Sequence, residues 1–285
     1  MAKGFSVKTL HIISKIFEDR NLGTEGNFGI KSKAFDNFCD LMKKINIEHQ
    51  ELMIFLLDQY LRVGINDYLE YLDKVFLKID SYIPDNSRIY YYPLTTSEKR
   101  GNKSGNFVLF FLKLKNYLPN KKYNNKDFSF AEVVEKLKDN ELDYIILIDD
   151  FIGSGDSALP IIKKFLSSGV DPKKIIIGSL VAQKQGVKII SSLNVNIFFA
   201  VERCKAISEC KKIDNKKIKR YIKKMDEIEK LINIKKTSDI SFGYKKCEAL
   251  LTMAKTPNNT FPIFWKPKGK NIENKIRAPF QIQKI

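Results

Sequence analysis

The chain has 285 residues, 44% of them hydrophobic, and its 50 basic against 33 acidic side chains give a net charge of +17. That length and apolar content suffice for a full α/β core plus an accessory helical region, and the lack of any run of eighteen apolar residues excludes a membrane-spanning helix. The opening residues Met1 to Ser6 lack the hydrophobic stretch and cleavage pattern of a signal peptide, so a cytoplasmic protein is expected.

The cysteines Cys39, Cys204, Cys210 and Cys247 are scattered without CxxC spacing, and His11 and His49 are the only histidines. Zinc clusters, a disulfide framework and a histidine-based triad therefore have little to work with, and acid–base chemistry must come from carboxylates, Tyr, Lys or substrate groups. The positive charge would attract nucleic acid or phosphorylated ligands. Only seven of the fifty cations are Arg, however, and Lys, Ile and Asn are abundant together throughout, a pattern that biased nucleotide composition also produces. Charge alone leaves an RNA or DNA partner open.

In chain order, apolar residues recur at helical spacing from Lys33 to Ile79 (Phe35, Phe38, Leu41, Met42; Leu52, Phe55, Leu56, Tyr60; Tyr68, Leu69, Leu72, Val75, Phe76, Ile79), which predicts three amphipathic helices. We take residues 1–84 as a helical N-terminal region, open to use as a lid, a dimerisation bundle or a winged-helix-like module, the dimer being the homo-oligomer the sequence admits. Arg88 to Pro93 reads as the first core strand, Leu94 to Gly105 as a polar basic loop, Phe107 to Leu114 as a helix, and Tyr117 to Asp127 as a second polar loop suited to a flap.

The segment Tyr144-Ile-Ile-Leu-Ile-Asp149-Asp150-Phe-Ile-Gly153-Ser-Gly-Asp-Ser157 is the most informative in the chain. Five apolar residues fit a strand buried on both faces, two acids close it, and a Gly/Ser turn leads into a helix starting near Ala158. Ligands of open α/β sheets bind at that strand end, and a short Gly-bearing loop there offers backbone N–H groups to an anion. Gly153, Ser154, Gly155, Asp156 and Ser157 thus predict a phosphate site. Asp149 and Asp150, acceptors only when ionised, suit a sugar with two neighbouring hydroxyls or a hydrated Mg²⁺. An acid pair after a hydrophobic strand also occurs in response-regulator receivers, haloacid-dehalogenase-like phosphatases and Walker B strands.

Further elements follow: a helix Ile161 to Ser168, a strand Lys174 to Gln183, a helix Gly186 to Leu193 and a strand Val195 to Val201, an alternation that argues for a parallel sheet. Ile213 to Ile234 reads as a long charged helix and Phe242 to Lys255 as another. Thr256 to Trp265 reads as a turn and short aromatic strand, and residues 266–285 as a basic C-terminal arm. In the Pro257-Asn258-Asn259-Thr260 turn, the Asn amides could pair with a nucleobase edge.

The acid-pair segment resembles the ribose-5-phosphate motif of type I phosphoribosyltransferases. With Arg203-Cys-Lys-Ala-Ile-Ser208 and the Pro-Asn-Asn turn, residues 85–265 look like the phosphoribosyltransferase-like proteins of bacterial conflict systems, some of which accompany retron reverse transcriptases. The resemblance implies an α/β fold, a type I phosphoribosyltransferase-like parallel sheet flanked by helices, with the helical N-terminal region and a C-terminal extension attached. It also implies that Asp149 and Asp150 are catalytic residues holding the ribose hydroxyls of phosphoribosyl pyrophosphate, or of a nucleotide, with Mg²⁺ nearby. Residues 153–157 would wrap its 5′-phosphate. Lys99, Arg100, Lys103, Ser104 and Gly105, in the loop after the first core strand, would grip the pyrophosphate, and Arg203, Asn258 and Asn259 would lie on the base side. Gly153 stands where purine-type members carry a carboxylate base, so base activation would come from elsewhere. An antiphage effector role, with a reverse transcriptase or its RNA–DNA hybrid as partner, is the biological setting implied; a catalytically degenerate sensor or binding module is the other reading.

Overall fold

The computed structural model describes residues 6–25, 30–31, 33–94, 104–114, 117–123, 129–267 and 276–280. The chain divides into two units, residues 1–65 with 204–285 and residues 66–203. The sequence boundaries at 84/85 and 265/266 fall elsewhere: the last of the three N-terminal helices goes with the sheet, and the segment after Arg203 goes with the first helices.

In the first unit, helices α1 (Val7–Asp19), α2 (Ala34–Lys44) and α3 (Ile47–Leu57) are interrupted by short strands β1 (Thr24–Glu25) and β2 (Ile30–Lys31), which pair antiparallel, and are followed by β3 (Leu61–Arg62). Their apolar stripes, including Ile13, Phe38, Leu41, Leu52 and Leu56, share one core with Tyr221, Met225 and Ile228 from the chain's C-terminal portion. Burying about 25 cal/mol per Å² of apolar surface is what holds such helices together, since their propensity alone is weak.

The second unit holds α4 (Ile65–Tyr82, whose first residue belongs to the other unit), β4 (Arg88–Pro93), α5 (Ser104–Leu114), β5 (Lys122–Tyr123), α6 (Phe130–Asp139), β6 (Asp143–Ile152), α7 (Leu159–Ser167), β7 (Ile175–Gln183), α8 (Lys184–Ser191) and β8 (Asn196–Arg203). Among the described residues the sheet is five-stranded in the order β5-β4-β6-β7-β8, and every pairing is parallel. Its central strands are apolar because both faces are covered. Val133, Leu137, Ile162, Phe165 and Ile190 from α6, α7 and α8 pack on Ile145, Leu147, Ile175 and Ile177. α4 covers the sheet at Gly178, where an added Cβ would lie 2.7 Å from Ile148 Cδ1 and 3.6 Å from both Ile79 Cδ1 and Val75 Cγ1. That close approach ties α4 to the sheet.

The fold is the α/β, type I phosphoribosyltransferase-like class. Helix α6 was not expected from the sequence, although Ser129 and Glu132 form a capping box that announces it. The second polar loop contains β5, which pairs with β4.

The remainder of the first unit is α9 (Asn215–Leu231), β9 (Leu251–Thr252), parallel to β3, and α10 (Pro262–Trp265). The expected helix over residues 242–255 is absent. Phe242, Lys245, Lys246 and Glu248 have φ of 58°, 55°, 53° and 48°, left-handed values that break a right-handed helix. Buried carboxylates hold this backbone. Glu229 accepts from Phe242 N and Ser241 Oγ, both at 2.8 Å, and Glu248 accepts from Ile207 N at 2.9 Å and from Ser208 N at 2.8 Å. The short aromatic strand expected before Trp265 is instead the single turn α10, and Trp265 Nε1 donates back to Thr260 O at 2.7 Å.

Candidate functional site

In chain order the sheet visits its second position first: β4 lies between β5 and β6, so the direction of strand addition reverses between β4 and β6. Crevices at such reversals, beyond the carboxyl ends of the strands, are where ligands of doubly wound sheets bind. Leu94 N donates to Ile148 O at 2.8 Å, which closes the β4–β6 ladder immediately before Asp149. The acid pair therefore sits at the lip of the crevice.

Asp149 and Asp150 are 8% and 6% exposed. Asp149 Oδ1 accepts from Ser104 Oγ, at the start of α5, and from Asp150 N at 2.9 Å. Asp150 Oδ2 accepts from Tyr68 OH of α4 at 2.9 Å. Tyr68 is buried, and its ring lies 5.4 Å from that of Phe107 and 5.9 Å from that of Phe111, both on α5. Burial pushes both carboxyls upward. For Asp149 the neighbouring Asp150 charge adds to burial while the Ser104 hydroxyl opposes it; for Asp150 the Tyr68 hydroxyl is the first of the opposing contacts. A cation or developing positive charge beside the pair would oppose that upward push and favour the ionised form.

Gly105 is required where it stands: a Cβ there would lie 2.9 Å from Ile148 O, 3.1 Å from Pro93 Cβ and 3.3 Å from Leu94 N. This close seat brings the start of α5 onto the ends of β4 and β6 and puts Ser104 within reach of Asp149. Lys99, Arg100 and Lys103 lie outside the described residues.

After Ile152 the chain turns through Gly153, Ser154 and Gly155, all buried, with Gly155 at φ 85°. Gly155 O accepts from Ala158 N at 2.9 Å and Leu159 N at 3.1 Å, which starts α7, and Pro160 occupies its first turn. Ser154 Oγ accepts from Asp156 N at 3.4 Å. Among the described residues no acceptor takes the N–H groups of Gly153, Ser154, Gly155 or Ser157. The loop is shaped by a contact from outside it. A Cβ on Gly186 of α8 would lie 2.4 Å from Gly153 O, 2.8 Å from Ile152 Cγ2 and 3.2 Å from Gly155 N, so only glycine lets α8 support the turn this closely.

The structure thus brings Ser104, Gly105, Asp149, Asp150 and residues 153–157 together at one end of one sheet. Arg203 ends the edge strand β8 in register with Gln183 and acts on Tyr71 through its charge. Asn258 and Asn259 belong to the other unit. Asn258 is exposed and its carbonyl accepts from Tyr244 N at 2.9 Å. Asn259 is buried, and its amide donates to Tyr244 O at 3.3 Å and Cys247 Sγ at 3.2 Å, so this side chain supports the left-handed turn. Sequence reasoning missed Tyr68, which it read as one apolar position of a helix stripe, and Gly186. The signal for Tyr68 was its hydroxyl, which must find a partner when buried.

Among the described residues no three His, Cys, Asp or Glu side chains come together as a metal cage. Two buried carboxylates at a crevice do fit Mg²⁺ of the kind that keeps several waters and is held largely by substrate phosphates.

A parallel sheet in this order, with an acid pair and a glycine loop at its reversal point, is the arrangement expected of a phosphoribosyltransferase-like protein. The chain belongs to the PRTase-CE family, whose profile matches residues 37–275. Among curated proteins none matches. Of solved structures, APRTase from Giardia lamblia complexed with 9-deazaadenine is similar at 17% identity and a TM-score of 0.29, over 48% of this chain and 84% of that one. Orotate phosphoribosyltransferase from Aeropyrum pernix is similar at 14% identity and a TM-score of 0.28, over 67% of this chain and 93% of that one. Orotate phosphoribosyltransferase from Mycobacterium tuberculosis H37Rv in complex with inorganic phosphate is similar at 7% identity and a TM-score of 0.26, over 70% and 90%.

Proposed function

We propose that the chain binds a 5-phosphoribosyl compound, phosphoribosyl pyrophosphate or a nucleotide, at the β4/β6 crevice and transfers or hydrolyses its glycosyl group. The observation that carries this reading is the buried acid pair, held by Ser104 and Tyr68 beside a loop in which the N–H groups of Gly153, Ser154, Gly155 and Ser157 meet no acceptor among the described residues. Each ionised carboxylate has acceptor capacity beyond the contacts it already makes, enough for the two ribose hydroxyls. Residues 153–157 would take the 5′-phosphate on backbone N–H groups next to the start of α7. Cleaving the anomeric bond develops positive charge on the ribose, which nearby carboxylates stabilise. Mg²⁺, when bound, would neutralise the departing pyrophosphate together with Lys99, Arg100 and Lys103.

Gly153 offers no side chain to deprotonate an acceptor, so the proton lost by a base or by attacking water must go to another group, such as the departing pyrophosphate or a neighbouring carboxylate. The same feature supports a second reading, a sensor that binds the ligand without turning it over. Incubation with phosphoribosyl pyrophosphate and Mg²⁺, with and without nucleobases, followed by pyrophosphate release, tests the first. Release above background supports catalysis; mutant-sensitive binding with no release leaves the sensor, and no binding removes both. The setting we propose, on the resemblance, is antiphage defence beside a reverse transcriptase. It predicts that Asp149→Asn with Asp150→Asn removes any protection in a plating assay.

A further inference from the structure

The segment from Lys211 to Lys223 carries seven cations and a single acid, Asp214. Packing divides them by face. The inner face of α9 buries Tyr221, Lys224, Met225 and Ile228, and α3 supplies its counter-charge: Glu51 lies 3.4 Å from Lys217, 3.4 Å from Arg220 and 3.6 Å from Lys224. Lys224 also donates to Glu48 O at 2.6 Å. Lys211, Lys212, Lys216, Lys219 and Lys223 are exposed, and none makes an ion pair among the described residues, although Lys223 lies in the field of Glu227.

The helix bears these charges against its own interest. Lys216, Lys219 and Lys223 fall at i, i+3 and i+7, so like charges stack on one face, and the exposed Lys212 lies just ahead of the helix. Lys216 also sits at the positive end of the helix dipole, where the first turn contains no acid and only the Asp214 cap, accepting from Lys217 N at 2.7 Å, offsets it. At 1.5 Å rise per residue, Lys216 to Lys223 is a line of charge about 10 Å long.

We infer that this outer face of α9 binds the phosphate backbone of double-stranded nucleic acid. Lysine is a point charge that neutralises phosphates and lacks the planar fork that reads bases, so the contact is independent of sequence. Single-strand sites interleave aromatic side chains for the bases to stack on. Tyr221, the one aromatic in the segment, is buried with its hydroxyl donating to Glu51 at 2.9 Å, which points to a duplex. Like-charge crowding that weakens the free helix is relieved when the phosphates arrive.

The test is fluorescence anisotropy of a labelled 20-base-pair duplex, as DNA and as RNA, with the full chain at rising salt. Four backbone contacts make affinity fall about 150-fold between 50 and 200 mM salt, with a slope near −3.6 against log salt on B-DNA. The variant K212Q/K216Q/K219Q/K223Q should lose that part of the slope and bind more than tenfold more weakly at 50 mM. A control removing the exposed lysines Lys138, Lys163, Lys173 and Lys188 of the sheet unit should change affinity less than threefold. Thermal melting of both variants checks folding; relief of repulsion should leave the α9 variant at least as stable as the parent. Preference for DNA or RNA identifies the duplex and supports the inference either way. No binding of either duplex at 50 mM, tighter binding of a matching single strand, or equal losses in the two variants would overturn it. Ligand binding at the β4/β6 crevice is measured separately, so neither result depends on the other.

Discussion

Gly186→Ala changes no atom in the acid pair or in residues 153–157, yet it should weaken phosphate binding. The new methyl would sit 2.4 Å from Gly153 O, whereas real Cβ contacts essentially never fall below 3.0 Å, so the carbonyl must retreat by at least 0.6 Å. The obstacle is backbone and no rotamer relieves it. Overpacking of this kind costs about 1–3 kcal/mol of stability. Because the peptide that moves joins Gly153 to Ser154, the proposed donors move with it, and losing one hydrogen bond to a charged phosphate, about 1.5 kcal/mol, weakens binding roughly tenfold. Titration of phosphoribosyl pyrophosphate into folded variant protein, with its melting temperature recorded, should show at least that loss. Unchanged affinity in a variant destabilised as expected would refute the assignment of the loop to phosphate.

Tyr68→Phe keeps the ring packed against Phe107 and Phe111 and deletes the hydroxyl that donates to Asp150. The Asp150 carboxyl should then rise further, since that hydroxyl opposes burial. A carboxyl raised in the folded state contributes stability below its unfolded pKa that is lost as pH rises through the folded value. The variant should therefore lose more stability at pH 8 than at pH 4 in urea titrations, by about 1.5–3 kcal/mol for a hydrogen bond to a charged group. Equal losses at both would show that Asp150 is not the partner that matters. Glu229, buried and bonded to Ser241 and Phe242, is pushed up to about 7 by burial. It should make the chain lose about 3 kcal/mol between pH 4.5 and 7. Glu229→Gln keeps an acceptor for Phe242 N and should flatten that part of the stability profile; an unaltered profile would place the titrating group elsewhere.

How much of this was legible before the structure depended on whether the information was local. Tyr144 to Ile148 reads as a buried strand because consecutive apolar residues have one use in a parallel sheet, and the acids and glycines that follow mark its carboxyl end, although the strand itself runs on through both acids to Ile152. The strand order, by contrast, is set by long-range pairing: β5 is two residues long within a Lys/Asn-rich loop, and nothing local says it lies beside β4. Tyr68 was readable as core but not as a partner for Asp150, because a helical stripe does not reveal which of its members faces a polar group. The segment 242–248 looked helical by spacing, and its left-handed residues are held by Glu229, Glu248 and Asn259, contacts remote or reversed in sequence. The unit boundary was hidden for the same reason, since Gly178 in β7 accommodates α4 through a missing side chain.

The central claim is that Asp149 and Asp150 hold the ribose of a phosphoribosyl ligand, and calorimetric titration of phosphoribosyl pyrophosphate with Mg²⁺ tests it most directly. Wild type should bind, and the Asp149→Asn, Asp150→Asn variant should lose that binding while remaining folded, because burial already disfavours the charged pair in the free protein. Equal binding by the two proteins, or none by wild type, would contradict the account.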